Sequence, residues 1–140
     1  MGKSKVNKEV AEKEVLAFLK YNKIRERVIK KHQDNVDAIV DLIMDGDMVV
    51  DNEKHSITYK LPFPILSLDG TPIYSEICIK NRVTLQTFSE AFNSISAKLE
   101  EGIARVMAII AAASGLNVNL LKTLDMASFS AIQNVAVFLL

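Results

Sequence analysis

One cysteine, two histidines and no tryptophan leave this chain of 140 residues with few of the side chains from which active sites and metal centres are built. Cys78 alone cannot close an internal disulfide, which suits a reducing cytoplasm. A lone cysteine with His32 and His55 far apart gives no zinc-ligand spacing. Five glycines, scattered singly, form no phosphate-cradling loop. No nucleophile–base pair can be assembled from what remains, so the expectation is a protein that is not an enzyme and uses no metal or cofactor.

Long apolar runs are missing as well. Ile103–Ala113 is 11 residues long and contains Arg105, whereas a bilayer span needs about 20 apolar residues. No membrane helix is predicted. The opening MGKSKVNKEVAEKEV has no apolar run that could act as a signal peptide. There is no excess of either charge: 17 basic and 17 acidic residues cancel. That speaks against nucleic acid or a membrane surface as partner, since both are usually met by a basic excess. Aromatics are only 6% of the chain, so aliphatic side chains and methionine must fill the core.

What is present is unevenly placed. Residues 1–60 carry 23 of the 34 charged side chains, and residues 102–140 carry three: Arg105, Lys122 and Asp125. The first third reads as solvated helix and hairpin, the last third as core or interface. From Lys8 to Asp45 the apolar positions have helical spacing: Val15, Phe18 and Leu19; Ile24, Val28 and Ile29; Val36, Ile39, Val40 and Ile43. A break is expected near His32–Asp34, with Asp34 as cap, and Gly46 is a natural stop. Met48–Asp51 and Ser56–Leu61 flank a polar turn and predict a β-hairpin. Pro62 and Pro64 interrupt pairing. Asp69-Gly70 predicts a second hairpin between Ile65–Leu68 and Ile73–Ile79.

Thr84 can cap a long amphipathic helix marked by Ile95, Leu99, Ile103, Val106, Met107 and Ile110, ending at Ser114-Gly115. Asn117–Thr123 is a short helix, and Asp125 caps a last one with Phe129, Ile132, Val135, Ala136 and Leu139 on one face. The expected fold is α+β: mainly helical, with a small antiparallel sheet of two hairpins between N-terminal helices and a C-terminal helical region. Residues 1–46 read as a charged helical arm, packed on the sheet or on a neighbouring subunit. Residues 47–140 read as the main domain, with hairpins at 47–80 and helices at 84–140.

Single residues have plain readings. Both histidines sit among polar neighbours and are expected in solvent. Cys78 reads as a small buried apolar group. Asp34, Asp37, Asp41 and Asp45 recur at helical spacing and read as the wet face of a helix, not as a calcium loop. The basic run Lys20, Lys23, Arg25, Arg27, Lys30 and Lys31 is interrupted by Glu26 and followed by seven acids, which favours self-pairing or solvation. It could equally seat on an acidic partner.

Residues 57–140 resemble the tail assembly chaperones of tailed bacteriophages, including the Mu-like and lambdoid-like tail assembly protein E group. The resemblance is carried by Tyr59-Lys60-Leu61-Pro62-Phe63-Pro64-Ile65, Asp69-Gly70-Thr71-Pro72-Ile73 and Ile77-Cys78-Ile79-Lys80-Asn81-Arg82-Val83-Thr84. It continues through Ala108–Gly115, Leu124-Asp125-Met126-Ala127-Ser128-Phe129 and Val135–Leu140. It implies a phage or prophage protein of the bacterial host cytoplasm that keeps the tape-measure protein soluble until tail-tube subunits polymerise. The tape-measure protein is then the expected partner, with the tail-tube protein as a second, and a homo-oligomer is an open expectation. A helix-in-groove contact through Ile132, Val135, Phe138 and Leu139 is the candidate partner site, although the same spacing also suits a core helix. The competing assignments are a tail-completion or head–tail connector protein of the particle, and a DNA-binding helix pair at residues 20–46. Zero net charge and the acids that follow oppose the latter.

Overall fold

The computed structural model describes residues 6–80, 82–95 and 99–139. Three helices come first: α1 Lys8–Tyr21, α2 Glu26–Lys31 and α3 Gln33–Met44. Asn7 caps α1, its side-chain oxygen accepting from the Val10 N–H at 2.9 Å, which satisfies one of the donors that a helix start leaves unpaired. Ala11, Val15, Phe18 and Leu19 make its buried stripe. α2 and α3 abut at His32, so Asp34 lies inside the first turn of α3 rather than at its cap. There its charge still complements the positive end of the helix. Gly46, in the left-handed region at φ 81°, ends the segment, its N–H donating to the Ile43 carbonyl at 3.0 Å.

The strands β1 Met48–Asp51, β2 Ser56–Leu66 and β3 Pro72–Ile79 form one antiparallel sheet in the order β1-β2-β3. The expected small antiparallel sheet is present; the interruption expected at Pro62 and Pro64 is corrected here, because the two hairpins share one strand, β2, which runs through both prolines. The prolines do not end the strand because they sit where no ladder donor is needed. Lys60 pairs with Glu76 and Ile65 with Tyr74, so residues 61–64 lie opposite Ser75 alone, in a bulge. Asp51 closes the first turn by accepting from the Glu53 and Lys54 amides at 3.0 and 3.1 Å. Asp69 closes the second, accepting from the Thr71 amide at 2.9 Å and from the Ser67 hydroxyl, with Gly70 at φ 86°.

A second correction concerns the long helix after Thr84. It is two helices, α4 Leu85–Asn93 and α5 Glu101–Ser114, packed against each other. Ile95 and Leu99 of the expected stripe fall between them, and residues 96–98 lie outside the described residues. Folding the chain back lets α4 cover part of the apolar circumference of α5, which one straight helix would leave bare. Thr84 and Thr87 form a reciprocal capping box. α5 stops at Gly115, φ 79°. α6 Val118–Leu121 and α7 Met126–Ala136 complete the chain, the latter capped by Asp125, whose Oδ2 accepts from the Ser128 amide at 3.1 Å. Leu140 lies outside the described residues.

One core joins these parts. α3 packs on α1, α7 and β1, and α5 packs on β3, α6 and α7. The core runs without interruption from Ala11 to Phe138. The helices of residues 1–46 therefore contribute to the same interior as the sheet. Asn35 donates to Asn134 at 2.9 Å, tying α3 to α7 through polar side chains beside the core.

Ile39 and Ile132 are each 1% exposed, on α3 and α7. Ile39→Ala and Ile132→Ala should each lower unfolding stability by about 2–5 kcal/mol in urea titrations. Asp37→Ala, on the exposed side of α3, should change it by less than about 0.5 kcal/mol.

Candidate partner-binding surface

Three of the four residues expected to meet a partner face inward. Ile132, Val135 and Phe138 are 1%, 1% and 3% exposed. α7 lays this stripe against α3 and α5, and the Phe138 ring meets His32 edge-on at 5.8 Å. The stripe is therefore core rather than surface. Leu139 is half-buried, beside Val83, Leu85, Phe88 and Ile109 around a shallow pocket of about 330 Å³.

The histidines and the cysteine also differ from expectation. Both histidines are half-buried against rings rather than free in solvent. His55 stacks on Tyr21 with centroids 3.5 Å apart and planes 2° from parallel, which fastens the first turn of the sheet to the end of α1. Cys78 is half-buried on the outer face of the sheet opposite Thr58, because strand alternation gives the inner face to Ile77 and Ile79. Asp34, Asp37, Asp41 and Asp45 are all exposed, as the helical spacing predicts.

The exposed apolar surface lies elsewhere. β1 pairs only with residues 56–59, so beyond Lys60 the β2–β3 hairpin loses its third strand and projects from the sheet. Its side chains there are large and bare: Phe63 is 67% exposed, Leu66 45%, and Leu68 fully so. With Pro64 and Leu120 they line an open groove of about 700 Å³, whose polar rim includes Asn117, Asn119 and Thr123. A second, narrower groove of about 220 Å³ lies between α5 and the start of α7. Its walls are Leu99, Ile103, Met107, Leu124, Met126 and Phe129, with Lys122 the one charged residue among the described lining. α6 and the turn after it stand between the two grooves, offering Leu120 to one and Leu121 and Leu124 to the other.

The carboxylates beside these grooves are held ionised by local donors. The Ser67 hydroxyl, then the Thr71 hydroxyl and amide, bring the Asp69 carboxyl down from 3.8 to about 2. Asp125 is lowered chiefly by the adjacent Ser128, whose amide donates to its Oδ2 at 3.1 Å. Such groups add stability above their unfolded pKa and lose it as pH falls through the folded one. The Asp69 turn should therefore stay closed down to about pH 2. In an NMR titration the Asp69 midpoint should lie near 2 and move back toward 3.8 in Ser67→Ala.

Helical periodicity pointed to α7 and missed the hairpin tip. A signal was there: Leu61-Pro62-Phe63-Pro64-Ile65-Leu66 leads into a turn with apolar residues where polar ones are usual. Phe63→Ser with Leu68→Ser should sharply reduce binding of an apolar-surface dye and leave unfolding stability within about 1 kcal/mol, whereas Ile132→Ser should unfold the chain. Comparison of the chain with protein-family models, with curated proteins and with solved structures finds no match.

Proposed function

We propose that this chain is a tail assembly chaperone of a tailed bacteriophage or prophage, binding the tape-measure protein in the host cytoplasm and holding it soluble until the tail tube forms around it. The carrying observation is the exposed apolar surface of the hairpin tip and the adjoining α5–α7 groove. Most of the groove is built from residues 102–140, which carry three charged side chains, whereas residues 1–60 carry 23. A small chaperone needs both properties: apolar area to cover a helical, aggregation-prone client, and charge to keep the complex dissolved. The resemblance of residues 57–140 to phage tail chaperones supports the same reading.

The mode is helix in groove. Leu99, Ile103 and Met107 recur every fourth residue along one wall of the narrower groove and can interdigitate with aliphatic side chains of a client helix spaced i, i+3, i+4 and i+7. Phe63, Leu66 and Leu68 then extend the covered length at the hairpin tip. No helix of the described residues is long and apolar enough to cross a membrane, in keeping with a client met in solution. The action is binding, and no chemical step is assigned.

Co-expression tests the reading. The wild-type chain should keep fragments of the tape-measure protein in the soluble fraction and co-purify with them. Phe63→Ser with Leu68→Ser, and separately Met126→Ser, should weaken that binding more than tenfold, or by about 1.4 kcal/mol or more, at unchanged stability. Undiminished binding by both variants rejects these surfaces. Stoichiometric recovery of the chain from purified virions overturns the chaperone reading in favour of a tail-completion or connector protein.

A further inference from the structure

The chain exposes 8545 Å² of surface. A folded monomer of its mass, 15.5 kDa, is expected to expose about 7,200 Å². The surplus of about 1,300 Å² is larger than the roughly 800 Å² that each partner of a stable protein–protein interface covers. Its place in the fold is shown by the bare side chains. Eight of the thirteen exposed large apolar residues among the described ones lie on the β2–β3 hairpin or in the walls of the α5–α7 groove.

The shapes of these two surfaces are complementary. The hairpin tip projects, with Leu68 fully exposed and Phe63 67% exposed. The groove is concave, about 220 Å³, and walled by Ile103, Met107, Met126 and Phe129 among others. α6 stands between them, so Leu68 borders the space on the hairpin side and not the groove of its own copy. Electrostatics permits two identical copies to meet here. Net charge is zero, a condition that favours association over mutual repulsion. Residues 61–75 carry one charge, Asp69, and the described lining of the groove carries one of opposite sign, Lys122, so tip on groove sets no like charges face to face.

We infer that the occupant is a second copy of this chain, in a two-fold dimer whose copies exchange hairpin tips, each laying Phe63 and Leu68 into the other's α5–α7 groove against Ile103 and Met126. The axis passes at α6, between the knob and the groove of one copy. Met126, on the groove's lip, then falls toward the space that Leu66, Leu68 and Leu120 of the other copy border. The same patch serves on both copies, so the contact is isologous and association stops at two. Tip and groove are also the surfaces proposed for the client, so a copy is either paired or loaded. That consequence rests on the client reading; the dimer itself does not.

Sedimentation velocity of the pure full chain tests the dimer without any client. Wild type should be a dimer at about 0.1 M salt and no weaker at about 1 M, where the Debye length is about 3 Å and charge contacts are screened. Phe63→Ser with Leu68→Ser, and separately Met126→Ser, change exposed positions and should each weaken pairing more than tenfold. A mixture of these two variants keeps one intact tip and one intact groove per pair, and should associate more tightly than either variant alone. A monomeric wild type, species larger than a dimer, a dimer lost at high salt, variants that pair like wild type, or a mixture no tighter than its components overturns the inference. Added tape-measure fragment should convert dimers into single loaded copies. A dimer that carries the fragment without dissociating overturns the shared surface, whereas a dimer that binds no fragment supports the pairing and rejects the client reading alone.

Discussion

α3 is the element on which α1, β1 and α7 all meet. Its stripe of Val36, Ile39, Val40 and Ile43 is wholly buried, and α1, β1 and α7 each pack against that helix. Burying an aliphatic side chain of this size contributes about 1.5–3 kcal/mol against exposure, and by touching both α1 and α7 this helix brings the first and last helices into one interior. With α3 removed, α1 would lose its main partner and α7 its floor. The Asn35–Asn134 hydrogen bond lies on this same seam, where it fixes the alignment of two helices that apolar contact alone would leave free to slide.

The position of the exposed apolar surface follows from that arrangement. Because α3 and α5 claim the inward stripe of α7, the residues best suited by pattern to bind a partner are already used in holding the chain together. What remains unclaimed is the far end of the β2–β3 hairpin, which outruns β1, and the groove beside α5. A four-residue β1 against an eleven-residue β2 leaves a projecting tip. The bulge at residues 61–64 accommodates its prolines without breaking the ladder. Prolines there also discourage the tip from recruiting further strands, which an exposed flat edge would otherwise do.

Charge segregation has its own structural basis. α1, α2 and α3 carry 13 of the 34 charged side chains, and the three ion pairs seen among the described residues, two on these helices and one on α5, are local ones between successive helical turns. Such solvated pairs contribute about 0.3–0.5 kcal/mol each, too little to organise the fold. The charges are therefore available to solvation and to partners, while packing is left to the aliphatic stripes.

Helical periodicity was enough to locate α1, α3, α7 and the C-terminal end of α5, because each repeats its apolar residues every three to four positions and meets Asn7, Gly46, Asp125 or Gly115, whose side chains or backbone freedom end helices wherever they occur. The Asp69-Gly70 turn was legible for the same local reason. Tertiary packing decided the rest. Whether Ile132, Val135 and Phe138 form surface or core depends on what lies across from them, and the apolar pattern is identical in both cases. Whether Pro62 and Pro64 end a strand or sit in its bulge depends on where β3 pairs. The partial burial of His32 and His55 against Phe138 and Tyr21 joins residues far apart in sequence, and no local rule carries that information. Amino-acid order sets which face of each element is apolar; only the assembled chain determines which of those faces find a neighbour and which stay open to a partner.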